Sequence, residues 1–133
     1  MSDQSDCIFC KIISGQIPGR ILEQNPEVVV LLSLENHPMV ITREHLVDIF
    51  TLTDAQGAAV MSAAIKVAKA MRDALKPDGI HVAQSNGEAA GQEVFHYHLH
   101  LYPRWTHGRL PATDDAGQDR MQQILKAALA QIG

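Results

Sequence analysis

The chain has 133 residues, enough for one ordinary domain with a real core and too few for two. Hydrophobic residues make up 46% and charged residues 20%, the balance of a globular protein that is neither disordered nor fibrous. A net charge of -4 with no block of like charge argues against nucleic-acid binding and membrane-surface binding, so a phosphate-bearing substrate would need a local site.

Residues 1–6 read as an acidic, flexible tail on a single domain spanning 1–133, without the features of a secretory signal. The longest apolar run, Val28–Leu32, is far shorter than the roughly 18 residues of a membrane span, and a cytoplasmic location is expected. Cys7 and Cys10, the only cysteines, are separated by two residues. In a reducing compartment that spacing suggests metal binding or redox chemistry rather than a structural disulfide.

Residues 7–13 read as a short helical turn stopped at Ser14-Gly15, with Pro18-Gly19 as a further break. Three β-type stretches follow, 20–23, 27–34 and 39–42, divided by Asn25-Pro26 and Asn36-His37-Pro38. From Thr53 the period changes to that of a helix, with Val60, Ala64, Val67, Met71 and Leu75 on one face. Thr53 and Gln56 form a capping-box pattern, and Pro77-Asp78-Gly79 stops the helix. Two more strands are expected at 80–85 and 94–102, joined by a loop over 86–92 and ended by Pro103. A closing helix over about 119–131 carries Met121, Ile124, Leu125, Ala128 and Ile132 on its apolar stripe. One long helix between two groups of strands predicts an α+β fold with an antiparallel sheet, not a doubly wound parallel one.

Three of the seven histidines stand at His96, His98 and His100. Random placement would produce such a run in about 2% of chains of this composition, so the pattern calls for a chemical reason. On a strand the three imidazoles share one face, opposite Phe95, Tyr97, Leu99 and Leu101, and so face a cleft or solvent. Two neighbouring rings can converge on one metal or one phosphate, but the outer pair is about 13 Å apart, too far for all three to ligate one ion. A neutral imidazole is also a good nucleophile near pH 7. Gly87, Gly91 and Gln92 supply a small-residue loop at the mouth of this strand, and Arg104 supplies a planar cation beyond it. His37, His81 and His107 are expected to be structural, and Trp105 with residues 106–115 to form a loop able to close over a substrate or partner.

The run from Gly91-Gln92 through His96, His98 and His100 to Pro103-Arg104 closely resembles the signature of the histidine-triad (HIT) family of nucleotide hydrolases and transferases. The resemblance extends to residues 7–18 and 40–45, and is strongest to the bacterial branch with an N-terminal Cys-x-x-Cys. It implies a HIT-like α+β fold with a five-stranded antiparallel sheet, paired as a homodimer. It implies cleavage at the α-phosphorus of a nucleotide: His98 attacks phosphorus to form a nucleotidyl-histidine, His100 lies by the phosphate, and Asn86 and Gln92 help position it. It also assigns Cys7, Cys10, His45 and His96 to a structural zinc site, one per chain. Two thiolates and two imidazoles do match a closed tetrahedral site.

Two positions depart from the family pattern. Glu93 stands where many relatives place Ser or Thr to contact the phosphate or leaving group, and a carboxylate there repels an anion. Ser33 stands where relatives have an Asp for the ribose hydroxyls, in a loop about four residues shorter. The leading reading is a dimeric hydrolase of nucleoside phosphoramidates or (di)nucleoside polyphosphates. The rivals are a zinc-stabilised nucleotide-binding or regulatory protein with little turnover, and a metalloenzyme in which two triad histidines hold a catalytic ion.

Overall fold

The computed structural model describes residues 4–108 and 111–132. Its centre is a pair of antiparallel strands, β2 (Val28–Leu32) and β3 (Pro38–Thr42), in which every residue is buried. A strand buried on both faces needs cover on both, and the rest of the chain supplies it. β1 (Ile21–Gln24) flanks β2, while β5 (His98–Arg104) and then β4 (Gly79–Ala83) lie beyond β3, giving the order β1-β2-β3-β5-β4 with every pairing antiparallel.

One face packs on α2 (Asp54–Leu75) and α3 (Asp115–Gln131): Val28, Val30, Val40, Leu99 and Leu101 meet Val67, Met71 and Leu125. The opposite face of β2 and β3, carrying Val29, Leu31, Met39 and Ile41, is covered by α1 (Ile8–Ile13) through Phe9 and the preceding Cys7. Farther along the sheet, on β5, residues alternate between the buried Leu99 and Leu101 and the half-buried His98, His100 and Tyr102. The imidazoles therefore emerge on the α1 side, next to the N-terminal cover.

The capping box of α2 forms as expected, with Thr53 Oγ1 accepting from Gln56 N at 3.1 Å and Thr53 N donating to Gln56 Oε1 at 2.9 Å. Other boundaries differ from the sequence expectation for identifiable reasons. β2 ends at Leu32 because Ser33 already begins a tight turn, Ser33 N donating to His37 O at 2.8 Å and Asn36 adopting a φ of 69°. α3 starts earlier than residue 119, since Asp114 caps it by accepting from Gly117 N at 2.8 Å.

β5 begins at His98 rather than at residue 94: Tyr97 N donates to Leu46 O, and pairing with β3 starts only at Ile41 opposite His98. Nor does Pro103 end it. Arg104 O accepts from Asp78 N, so the backbone groups of Arg104 face β4 and those of Pro103 face the other edge. β3 has already stopped there, so the missing proline N–H forfeits no ladder bond. Of the expected tail, residues 1–3 lie outside the described residues and Gln4–Asp6 make one 3-10 turn. No described helix is long and apolar enough to cross a membrane.

Leu101 is fully buried where β5 meets both helices. Leu101→Ala should lower the unfolding free energy by about 2–5 kcal/mol in urea titration. A loss below about 1 kcal/mol would place the core elsewhere.

Candidate functional site

Two clusters of side chains meet at the start of β5. The first gathers Cys7, Cys10, His45 and His96, four residues from three separate segments, with their ligand atoms all within 4.8 Å of one another. Cys7 caps α1 and its Sγ accepts from Cys10 N, so the helical turn itself brings the two sulfurs together. His96 Nδ1 lies 3.3 Å from Cys7 Sγ, 3.5 Å from Cys10 Sγ and 3.3 Å from His45 Nδ1, and His45 Nδ1 lies 3.3 Å from Cys10 Sγ. Donors bound to one tetrahedral metal at about 2.0–2.3 Å stand roughly 3.3–3.8 Å apart, so the spacing matches a metal site.

The tautomer matches as well. His96 Nε2 lies 2.6 Å from Thr42 O, which can only accept, so the ring proton sits on Nε2 and the lone pair of Nδ1 faces the other three donors. Burial, outweighing the bond to Thr42, holds His96 at about 4, so the ring is neutral, the form a metal requires. Burial and the neighbouring Cys7 push the Cys10 thiol up to about 12. A bound dication reverses that balance, because a coordinating thiol is deprotonated. The cluster can hold a metal ion; the Nε2 atom of His45, buried without a partner among the described residues, is its one unsatisfied polar atom.

The second cluster is the imidazole row. His98 Nδ1 donates to the carbonyl of His96 at 2.7 Å, which leaves its lone pair on Nε2. The edge of Phe9 packs against the same ring, with centroids 5.1 Å apart. His100 stands next in line, its ring centroid 4.8 Å from that of His98, and its Nδ1 lies 2.9 Å from Nε2 of His37. Tyr102 stacks on His100 and lies tilted against His37, and the Arg104 guanidinium lies 4.8 Å over the Tyr102 ring. Beside them opens a cleft of about 460 Å³ bounded by Glu35, His37, Tyr102, Arg104, Pro111 and Thr113.

Burial lowers His98 against the opposing effect of its bond to His96. His100 falls to about 4 through burial and the proximity of His98. His37 falls to about 3 through burial, then His100 and Arg104. The row is therefore uncharged at neutral pH, leaving the Nε2 of His98 free to act as a base or nucleophile.

The loop before β5 is held by its own side chains. Gln92 Oε1 accepts from Gly87 N at 2.7 Å while its Nε2 donates to Val47 O at 2.6 Å and Val94 O at 3.1 Å. Asn86 Oδ1 accepts from Ile49 N at 2.7 Å, and its Nδ2 donates to Gln84 Oε1 at 2.9 Å. These amides, expected to position phosphate, are engaged within the protein and shape the loop, whose φ values at Gly87 (90°) and Gly91 (100°) suit glycine. Glu93 is exposed. Ser33 is turned inward, its hydroxyl 3.0 Å from His37 Nδ1.

His96 leaves the expected common face: it lies ahead of the strand, fully buried among the cysteines, and only His98 and His100 share the β5 surface. His37, expected to be merely structural, joins the row. Its neighbour in the register, Met39 opposite His100, is what brings it there, and that pairing is not visible without the sheet. His81 and His107 are exposed, and of loop 106–115, residues 109–110 lie outside the described residues.

The HIT domain model matches residues 14–107. The chain is 38% identical over 107 residues to Protein hit of Bacillus subtilis (strain 168), covering 77% of this chain and 74% of that protein. A zinc-bound histidine triad family protein from Mycobacterium smegmatis superposes with a TM-score of 0.87 at 31% identity, over 97% of this chain and 96% of that one. A HIT family hydrolase from Clostridium thermocellum superposes with a TM-score of 0.64 at 27% identity, over 78% and 95%. With the five-stranded sheet, the paired histidines of β5 and the match over most of its length, this chain belongs to the HIT family.

Proposed function

We propose that the protein is a nucleotide hydrolase acting at the α-phosphorus of nucleoside phosphoramidates or (di)nucleoside polyphosphates through a nucleotidyl-histidine on His98. The observation that carries this reading is the bond from His98 Nδ1 to the His96 carbonyl, which aims a neutral Nε2 lone pair away from the backbone. Nε2 bonds to phosphorus as the P–O or P–N bond to the leaving group breaks, and the leaving group takes up a proton from solvent, which the attacking water of the second step gives back. Water then cleaves the P–N bond to His98 and returns the imidazole. Splitting one displacement into two lowers the barrier of each. His100 lies beside the phosphate as a hydrogen-bond donor. Asn86 and Gln92 act by shaping the loop, whose Gly87, Ala90, Gly91 and Gln92 N–H groups are engaged within it, and Glu93 is exposed at its end. With Ser33 committed to His37, ribose recognition falls to other groups or is weak.

We further infer that the metal of the cysteine–histidine cluster is zinc, one per chain, through Cys7, Cys10, His45 and His96. The Cys2His2 donor set and the zinc-bound relative support this. When bound, the ion ties α1 to the segment carrying His96 and holds both thiols as thiolates. A homodimer is supported by the open edge of β4, where Val82 is exposed, and by the exposed Met61 and Ile65 on α2. A cytoplasmic location is in keeping with two free thiols.

His98→Ala should reduce turnover about a thousandfold or more with the fold intact. Mass spectrometry of the acid-quenched wild-type reaction should place the nucleotidyl group on His98. Finding it on another residue would falsify the assignment, and tight binding without any adduct would favour the regulatory reading. Metal analysis should find close to one zinc per chain, and a chelator should lower the Tm, since an ion bound only by the folded state adds to stability. Zinc retained by a Cys7→Ala, Cys10→Ala double variant would rule out this ligand set.

A further inference from the structure

Ser33 is 7% exposed and lies in the turn between β2 and β3. Its Oγ accepts from His37 N at 3.2 Å and lies 3.0 Å from His37 Nδ1, while the opposite nitrogen of that ring, Nε2, lies 2.9 Å from His100 Nδ1. The turn is held from outside as well: Gln118 Nε2 donates to Leu34 O at 3.2 Å and Asn36 Nδ2 to Ala112 O at 2.6 Å. A hydroxyl and two imidazoles thus form one hydrogen-bonded line from a fixed turn to the β5 surface.

Such a line has two proton arrangements when both rings are neutral. In one, the Ser33 O–H donates to His37 Nδ1, His37 Nε2–H donates to His100 Nδ1, and the proton of His100 resides on Nε2. In the other, His37 Nδ1–H donates to Ser33, His100 Nδ1–H donates to His37, and His100 Nε2 is bare. The second arrangement makes Ser33 Oγ accept twice and leaves its O–H with no acceptor among the described residues. An unpaired buried donor is costly, so the first arrangement prevails. Burial keeps His37 at about 3 and His100 at about 4, so at neutral pH each ring carries a single proton.

We propose that Ser33 is a positioning residue: through His37 it fixes His100 as the Nε2–H tautomer, presenting a donor beside His98, whose Nε2 presents a lone pair. Adjacent imidazoles on one strand face are thereby held in opposite proton states, one by a backbone carbonyl and one by a serine hydroxyl. The role of that donor in the reaction rests on the nucleotidyl-transfer reading; the tautomers themselves do not.

Long-range proton–nitrogen NMR of the histidine-labelled full chain near pH 7.5 reads each tautomer directly. Wild type should show His37 and His100 as Nε2–H and His98 as Nδ1–H. Ser33→Ala should convert His37 and His100 to mixtures of tautomers, and Ser33→Thr, which keeps the hydroxyl, should restore them. In parallel, kcat with a nucleoside phosphoramidate should fall roughly two- to tenfold in Ser33→Ala, following the population that leaves the competent tautomer, with KM little changed. Nδ1–H on wild-type His37 or His100, or tautomers unmoved by Ser33→Ala, would overturn the proposal, and the wild-type spectrum decides this even if the variant fails to fold. Tautomers that respond while kcat does not would uphold the positioning and overturn the proposed part of His100 in catalysis.

Discussion

The 2.7 Å bond from His98 Nδ1 to the carbonyl of His96 joins the two halves of the site. Its acceptor belongs to a residue whose own ring is clamped between Thr42 O and the cysteine pair, so the carbonyl can hold His98 only while His96 is held. The metal-type cluster and the candidate nucleophile are therefore two residues apart in the chain and one hydrogen bond apart in structure. Cys7 and Cys10 are linked to His98 by way of His96 and this bond, and Phe9 packs against both rings.

Burial performs a second service. The same face of the sheet that is closed by α1 over β2 and β3 opens at β5, leaving His98 and His100 partly covered. Partial burial depresses both imidazoles and so supplies neutral rings where a solvent-exposed row would be substantially protonated below pH 7. The hydrogen-bond partners on the Nδ1 side then decide what each Nε2 offers. Backbone carbonyl and serine–histidine relay give neighbouring, chemically identical side chains different capacities.

Much of this was legible in the sequence, where a rule of local geometry applied. The two-residue period of β5 separated Leu99 and Leu101 from His98 and His100, and the Thr53–Gln56 capping box marked the start of α2. The HIT resemblance grouped Cys7, Cys10, His45 and His96, which the fold brings together. What escaped depended on pairing between distant segments. Pro103 is tolerated inside β5 only because β3 ends before it, and His96 lies ahead of the strand because the N–H of Tyr97 turns to Leu46 O while only its carbonyl still meets β3, at Thr42 N. His37 looks like an ordinary turn residue until the β3–β5 register sets it against His100, and Ser33 acquires a role only through His37. Gln92 and Asn86 likewise show their bracing function only when the loop is closed over Val47 and Ile49.

In the proposed reaction the phosphoryl centre is displaced twice, first by His98 and then by water. In-line displacement inverts phosphorus, so two successive displacements restore the starting configuration and a single direct attack by water does not. The most direct test is therefore stereochemical: turnover, in isotopically labelled water, of a substrate made chiral at the α-phosphorus by sulfur substitution. Net retention of configuration is the predicted result. Net inversion would contradict a covalent intermediate and leave His98 as a base or binding group.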